Sequence, residues 1–414
     1  MKNKIKKTTL CYLDGFLIIG TIPFLTKFDS GIVHSLLYFH KIIYYITIYL
    51  CLLLFIGSTL KGDKRFKLPL SLMVFFIFMF IQSVIFSNSK IDSLCKVLIL
   101  LGTCVYGLSL IKRYKFEEIL KITIWGGIVI NIVTIYFMIT NPASAFEPYK
   151  EEMVLAGSFP TKNNLATYML FSVIVNLVYL RNSNSSKSFK LVSFGSLLLA
   201  ISFLFASGSA TSIATIIVIL VIYYVNKLLK NKLNLVNVGI LMTVLLYITI
   251  KLQSIVGAYF TNFSGRDLTL TGRTYIWDAI ISQVGMGLIH GYGYGTFWGY
   301  NQLLEQSIIS KYTGYIGGVT VNGAHNGFLE LMLQIGAIGT LIFVAIIIKS
   351  GKKLKKIKDK SVFQFSSFFY IYILIYFITE RSLWNMGYQT LFIFIIIILT
   401  LNDNYKKNSM LTEY

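Results

Sequence analysis

Hydrophobic and polar positions in this chain alternate on the scale of whole segments. Apolar runs of about 18 to 24 residues recur from one end to the other, separated by polar connections. That is the length an α-helix needs to cross the hydrocarbon core of a bilayer, where a helix satisfies its own backbone. The runs predict spans at residues 8–25, 42–60, 68–86, 93–111, 118–139, 164–180, 191–206, 211–226, 233–252, 325–348, 362–379 and 387–401. The expected fold class is an all-α integral membrane protein of about 12 transmembrane helices. Spans one to nine occupy 1–252. An extracytoplasmic loop follows over 253–324, then spans ten to twelve over 325–401 and a cytoplasmic tail over 402–414.

Composition agrees: 55% of residues are hydrophobic, 13% are charged, and mean hydropathy is +0.70. A soluble domain with that balance would present a continuous apolar surface. The formal net charge of +21 raises nucleic acid as a partner, but the placement of the charge answers otherwise. With the N-terminus "MKNKIKK" in the cytoplasm, the inside segments include "KGDKRFK", "KRYKFEE", "NKLLKNK" and "KSGKKLKKIKDK". About 26 of the 38 Lys and Arg fall on that side, as the positive-inside rule requires. The charge is topological and faces anionic lipid, so no nucleic-acid partner is called for. The expected location is a bacterial cytoplasmic membrane with both termini inside. No small-x-small cleavage site follows the first span, which holds Asp14 and reads as a retained anchor.

The 253–324 loop is rich in Gly, Tyr and Trp, which argues for an ordered unit. Within it, "TGRTYIWDAIISQVGMG" predicts a short surface helix. Its apolar face holds Ile276, Trp277, Ile280, Ile281 and Val284, with Asp278, Ser282 and Gln283 opposite. Thr271 or Thr274 is the candidate cap, and Trp277 is expected at headgroup level. Arg273 stands at the helix start, where free N–H groups favour an anion. Two readings stay open for it: a phosphate or pyrophosphate site, or a salt bridge to Asp278 or lipid phosphate. "GYGYGTFWGY" reads as a structural turn, with no Gly-Lys-Ser/Thr of a nucleotide phosphate loop.

His325 and Asn326 head the tenth span, and Glu330 follows on the same helical face as Asn326. Ionisable residues there are functional candidates by default. The alternative is an interfacial histidine held by backbone carbonyls, with Glu330 paired to a lysine. Gly336 and Thr340 read as a small-xxx-small packing pattern. The four histidines show no H-x-x-x-H spacing and the four cysteines no C-x-x-C spacing, so no metal site is expected.

Four stretches come in a particular order: "GSFPTKNNLATYMLFS" (157–172), "SGSATSIATIIVIL" (207–220), "GRTYIWDAI…IHGYGYGTF" (272–297) and "AHNGFLELMLQIGAIGTLIF" (324–343). Together they resemble the O-antigen ligase and Wzy-type polysaccharide polymerase superfamily. The resemblance implies a GT-C-like fold and a metal-independent glycosyltransferase without cofactor. Its donor would be a polyprenyl-pyrophosphate-linked oligosaccharide and its acceptor a sugar hydroxyl, at the outer face beside membrane lipid. A chain-length regulator or flippase would be the protein partner. By the same resemblance Arg273 holds the pyrophosphate and His325 activates or orients the acceptor hydroxyl. Arg266, Lys162, Asn163, Asn326, Glu330 and Arg381 are expected to contact substrate, with Glu330 as the other candidate base. The chain departs from the family's Ser-Arg motif at Ser209-Ala210, and Lys162, Lys96 or Arg381 is expected to supply the second cation. The leading expectation is a repeat-unit polymerase for capsule, O-antigen or exopolysaccharide. A ligase passing finished glycan to lipid A core or another acceptor is its sibling. A flippase would need charge spread through several spans around a cavity, and these spans are nearly free of it.

Overall fold

The computed structural model describes residues 42, 45–57, 68–149, 152–182, 186–229, 273–316, 321, 323–354 and 357–380. The spans expected at 8–25, 233–252 and 387–401 lie outside the described residues, as do Arg266, Thr271, Arg381 and the 402–414 tail. What is described is an all-α integral membrane protein carrying one small β-hairpin. The bundle consists of Tyr45–Gly57 (α1), Leu70–Phe86 (α2), Lys90–Arg113 (α3), Phe116–Thr140 (α4), Lys162–Arg181 (α5), Lys187–Ala206 (α6) and Ala210–Leu228 (α7). Arg273–Val284 (α8) and Gln302–Ile316 (α9) form a cap, and Gly327–Lys353 (α10) and Lys360–Thr379 (α11) follow it among the described residues. Each matches a predicted span or the predicted loop helix, apart from α9.

Six of these helices, α3 to α7 and α10, are long and apolar enough to cross a membrane. Leu70, Leu191 and Leu341 stand exposed on the bundle's outside, as lipid contact requires. α5 and α11 lie inside instead. α11 packs against α5, α7 and α10 and buries Gln364, Ser366, Ser367 and Tyr376. Lipid does not drive helices together as water does, so close packing and interhelical polar contacts hold such a core. Phe171 of α5 meets Phe369 of α11 edge-on at 5.7 Å between ring centroids. The helix starts are fixed by their caps: Thr161 for α5, Asn326 for α10 and Asp359 for α11 each accept a backbone N–H of the first turn.

Up-and-down connectivity sorts the connections to two ends. One end carries residues 87–89, 141–161, 207–209, the cap and Glu380. The other carries the basic ends of the helices, including Lys112, Arg113, Arg181, Lys187, Lys352 and Lys353.

Two features at the cap end were not predicted. The 141–161 connection forms an antiparallel hairpin of Phe146–Tyr149 (β1) and Glu152–Leu155 (β2), in register Phe146↔Leu155 and Tyr149↔Glu152. It is anchored where Ala156 and Gly157 N–H groups donate to the Ala145 carbonyl at 2.9 and 2.8 Å. The second feature corrects the reading of Gly336. Here α10 breaks, with Gly336 at φ 73°, ψ 174°, because the chain at Ile289–Gly291 lies directly against it. A Cβ on Gly336 would run into the Ile289 and His290 carbonyl groups, so the residue serves a backbone crossing rather than helix–helix packing.

Candidate functional site

Of the residues singled out by sequence, the described ones stand at the cap ends of α3, α5, α7 and α10 and at the start of α8. Arg273 opens α8, and its Nη2 lies 2.8 Å from Oε1 of Glu380, just past the end of α11. The Arg273 and Glu380 side chains are 14% and 9% exposed, so the pair is largely shielded from solvent. One turn back from Glu380, the Tyr376 hydroxyl is bonded to Ser212 Oγ on α7 and to Thr167 on α5, and it feels the charges of both Arg273 and Glu380. Ser212 in turn contacts Ser209 Oγ at 3.2 Å. Thr167 donates to the carbonyl of Asn163 at 2.8 Å, which puts half-buried Asn163 one turn nearer the cap on that same face.

Lys162 precedes it as the first residue of α5. Although only 7% exposed, it places Nζ 2.8 Å from the ring centroid of Tyr149 on β1. The hairpin thus supplies a π face to a buried ammonium, and its Val154 rests against Gly208 in the α6–α7 turn. Lys162, Asn163, Ser209 and Arg273 all stand at helix starts, where uncompensated N–H groups carry partial positive charge. The layer is polar, cationic and lined by hydroxyls, a setting that stabilises an oxyanion or diphosphate.

His325 stands beside this layer in a different kind of structure. It is the one described non-glycine residue with positive φ, 48°, and is half-buried. The preceding residue, Ala324, is fully buried. Its N–H donates to Glu330 Oε2 at 3.0 Å and its carbonyl accepts the indole N–H of Trp277 at 2.9 Å. Trp277 lies one turn along α8 from Arg273, so one helix face joins the arginine to the histidine loop. Asn326 caps α10, its Oδ1 accepting from the Phe328 and Leu329 N–H groups at 3.0 Å each.

Glu330 is 1% exposed and also accepts from Trp298 Nε1 at 3.0 Å and Gln334 Nε2 at 3.0 Å. Charge-assisted bonds of this kind contribute about 1.5 to 3 kcal/mol each and offset the burial of the carboxylate. The Glu330 oxygens are turned inward onto indole, amide and peptide donors, where a lysine had been the expected partner in one reading.

The glycine-rich stretch works as a turn, as expected, and the break at Gly336 is what it turns around. Tyr292 N–H donates to the Leu333 carbonyl at 2.8 Å and Gly293 N–H to that of Gln334 at 2.9 Å, both carbonyls that the broken helix leaves open. Gln82 of α2 binds the carbonyls of His290 and Gln334 from the other side, at 3.0 and 3.1 Å. Burial pushes the Tyr294 phenol in this loop well above its ordinary range. Lys96 is tied here too: its Nζ donates to the Gly295 carbonyl at 2.6 Å and lies over the Tyr300 ring. This bond makes Lys96 an anchor of the loop.

Other expectations divide. α8 buries Ile276, Ala279, Ile280 and Val284, while Ile281 is 55% exposed. It packs on α9 around a core of its own with Phe297, Ile308 and Tyr312, so it belongs to a folded cap rather than lying alone. Trp277 points at Ala324, not outward to a headgroup. The ion pair of Arg273 is with Glu380, and Asp278 pairs with Lys311 at 2.9 Å. Glu380, Tyr376 and Thr167 were missed. Their polar character inside or at the end of an apolar run is the signal that would have raised them.

Residues 195–344 match the family model described as O-antigen ligase, a stretch holding Ser209, Arg273, Trp277, His325 and Glu330. The chain is also 30% identical over 84 residues to the exopolysaccharide production protein ExoQ of Rhizobium meliloti (strain 1021). That alignment covers 20% of this chain and 19% of the relative. Over 195–344 the chain is thus similar to the O-antigen ligase family, in the region that carries three of the four motifs.

Proposed function

We propose that this protein is a polymerase of lipid-linked oligosaccharide repeat units, working at the outer face of the cytoplasmic membrane without a metal. The cap end is then the outer end, and the basic end faces the cytoplasm as the positive-inside rule demands. The observation that carries the proposal is the joining of Arg273 to the His325 loop through one face of α8, by way of Trp277 and Ala324. It supports a reading in which an anion-binding layer and the imidazole work side by side at the edge of the bundle. The donor is a glycan on polyprenyl pyrophosphate, its lipid lying along the bundle and its diphosphate against Arg273 and Lys162. The acceptor is a sugar hydroxyl.

That hydroxyl oxygen attacks the anomeric carbon of the donor sugar, and the bond from that carbon to the diphosphate oxygen breaks. The departing diphosphate needs its charge absorbed more than it needs a proton, and each donor aimed at it is worth about 100- to 1000-fold in rate. His325, neutral, takes the proton of the hydroxyl, worth about 100-fold or more. Ser209, Ser212 and Tyr376 hold the floor of the anion layer.

The test uses purified protein in lipid with a polyprenyl-pyrophosphate oligosaccharide and EDTA, following glycan length on a gel. A ladder absent with Arg273→Ala and slowed about 100-fold with His325→Ala is the expected result. Single transfers to an added acceptor, without a ladder, would make the protein a ligase. Movement of the lipid-linked glycan across the bilayer without transfer would make it a flippase. Activity that EDTA abolishes and a divalent cation restores would overturn the metal-free chemistry.

A further inference from the structure

His325 occupies a left-handed backbone conformation that L-residues rarely adopt, so its surroundings must impose it. The peptide unit before it is gripped from two directions. Trp277, from the cap, holds the Ala324 carbonyl at 2.9 Å, and Glu330, from inside α10, holds the Ala324 N–H at 3.0 Å. Each grip is itself anchored. The Trp277 helix packs into the cap core, and Glu330 is fixed by Trp298 and Gln334. On the far side, Asn326 is pinned by its cap bonds and by its carbonyl, which accepts the Glu330 N–H at 2.9 Å.

We propose that Trp277 and Glu330 are positioning residues for His325: they clamp the Ala324 peptide and so hold the imidazole at the acceptor hydroxyl. This rests on the reading of His325 as the proton acceptor. It gives a chemical reason for a tryptophan four residues after the arginine. One turn of α8 then ties the diphosphate anchor to the acceptor side, so donor and acceptor groups keep one spacing. Small errors in such a spacing cost rate steeply.

The experiment compares wild type, Trp277→Phe and Glu330→Gln in lipid. Trp277→Phe keeps the ring and removes only the N–H. Two readings are taken. The first is the rate at which diethyl pyrocarbonate modifies His325, followed by peptide mass spectrometry. His290 is the internal reference, because its ring is held elsewhere, stacked on Phe86. The second is the kinetics of glycan transfer in the parent and in the His325→Ala background.

Expected for Trp277→Phe is His325 modification several-fold faster at an unchanged His290 rate. With it, kcat falls about tenfold, the effect of one hydrogen bond, while the KM for lipid-linked donor holds. In the His325→Ala background the same change alters kcat less than about twofold. Glu330→Gln, which leaves one acceptor oxygen, is expected to act in the same direction.

An unchanged His325 modification rate in folded Trp277→Phe would overturn the clamp. So would an equal fall of kcat in both backgrounds, or a loosened His325 with unaltered kcat. If wild type transfers no glycan, the proposed function fails by itself, and the modification rates still decide whether the clamp exists.

Discussion

Replacing Arg273 tests the anion site, and Glu380 decides how that replacement must be read. The two form an ion pair at 2.8 Å in a setting where the carboxylate side chain is only 9% exposed. Removing one partner of such a pair leaves the other charge unpaired and costs about 3 to 5 kcal/mol. Arg273→Ala is therefore expected to lose stability as well as about 100- to 1000-fold in transfer rate, and a bare loss of activity would not distinguish the two. The second substitution does. Glu380→Gln keeps a polar partner for the guanidinium and removes the competing charge, so the donor KM is expected to fall while the fold holds. In the double variant Arg273→Ala/Glu380→Gln the uncompensated carboxylate is gone, and most of the lost stability returns. Transfer does not return. The assay is thermal unfolding by size-exclusion recovery in detergent, run beside initial rates of glycan transfer in lipid. The reasoning is refuted if the double variant regains activity along with stability. It is equally refuted if folded Glu380→Gln is as inactive as Arg273→Ala, because Glu380 would then take part in the chemistry itself.

Lys162→Gln should raise the donor KM several-fold with kcat little changed, measured in the same transfer assay, because the ammonium beside Tyr149 would bind diphosphate before and during reaction alike. Lys96→Met should cost about 1 to 2 kcal/mol of stability through the lost bond to the Gly295 carbonyl, with transfer rates per folded molecule kept within about threefold. Gly336→Ala should abolish recovery of monodisperse protein, since the new Cβ would meet the Ile289 and His290 carbonyls at a backbone angle that L-residues rarely adopt.

Most of the bundle was legible because a helix in lipid has one dominant requirement, a long apolar run, and α3 to α7 and α10 meet it plainly. α8 was legible for a related reason: its period of apolar residues shows the side that packs, with Ala279 standing where Ile281 was expected. The hairpin was not. "FEPYKEEMVL" carries no Asn-Gly or Gly turn signal, and its strands are held by the Ala145 carbonyl and by contact with the α6–α7 turn, which are tertiary facts. The break at Gly336 was hidden by its own setting. "QIGAIGTL" inside an apolar run looks like a packing stripe, and only the crossing of residues 289–291 shows that the glycine is needed for backbone approach.

The site divides along the same physical line. Arg273 and His325 stood out because charge and imidazole are costly near lipid and therefore rare. What each does in the fold depends on partners far away in sequence. Glu380 lies 107 residues from Arg273, and Tyr376 lies 164 residues from Ser212. No spacing rule reaches so far. The Ser209-Ala210 departure shows how much this matters. The missing cation looked like a gap for a nearby lysine or arginine, Lys162 and Arg381 ahead of Lys96. Geometry separates them: Lys96 closes a structural loop, while Lys162 is the first residue of α5, one turn above a threonine that shares a phenol with Ser212. The serine half of the motif keeps its place in that hydroxyl layer, bonded to Ser212.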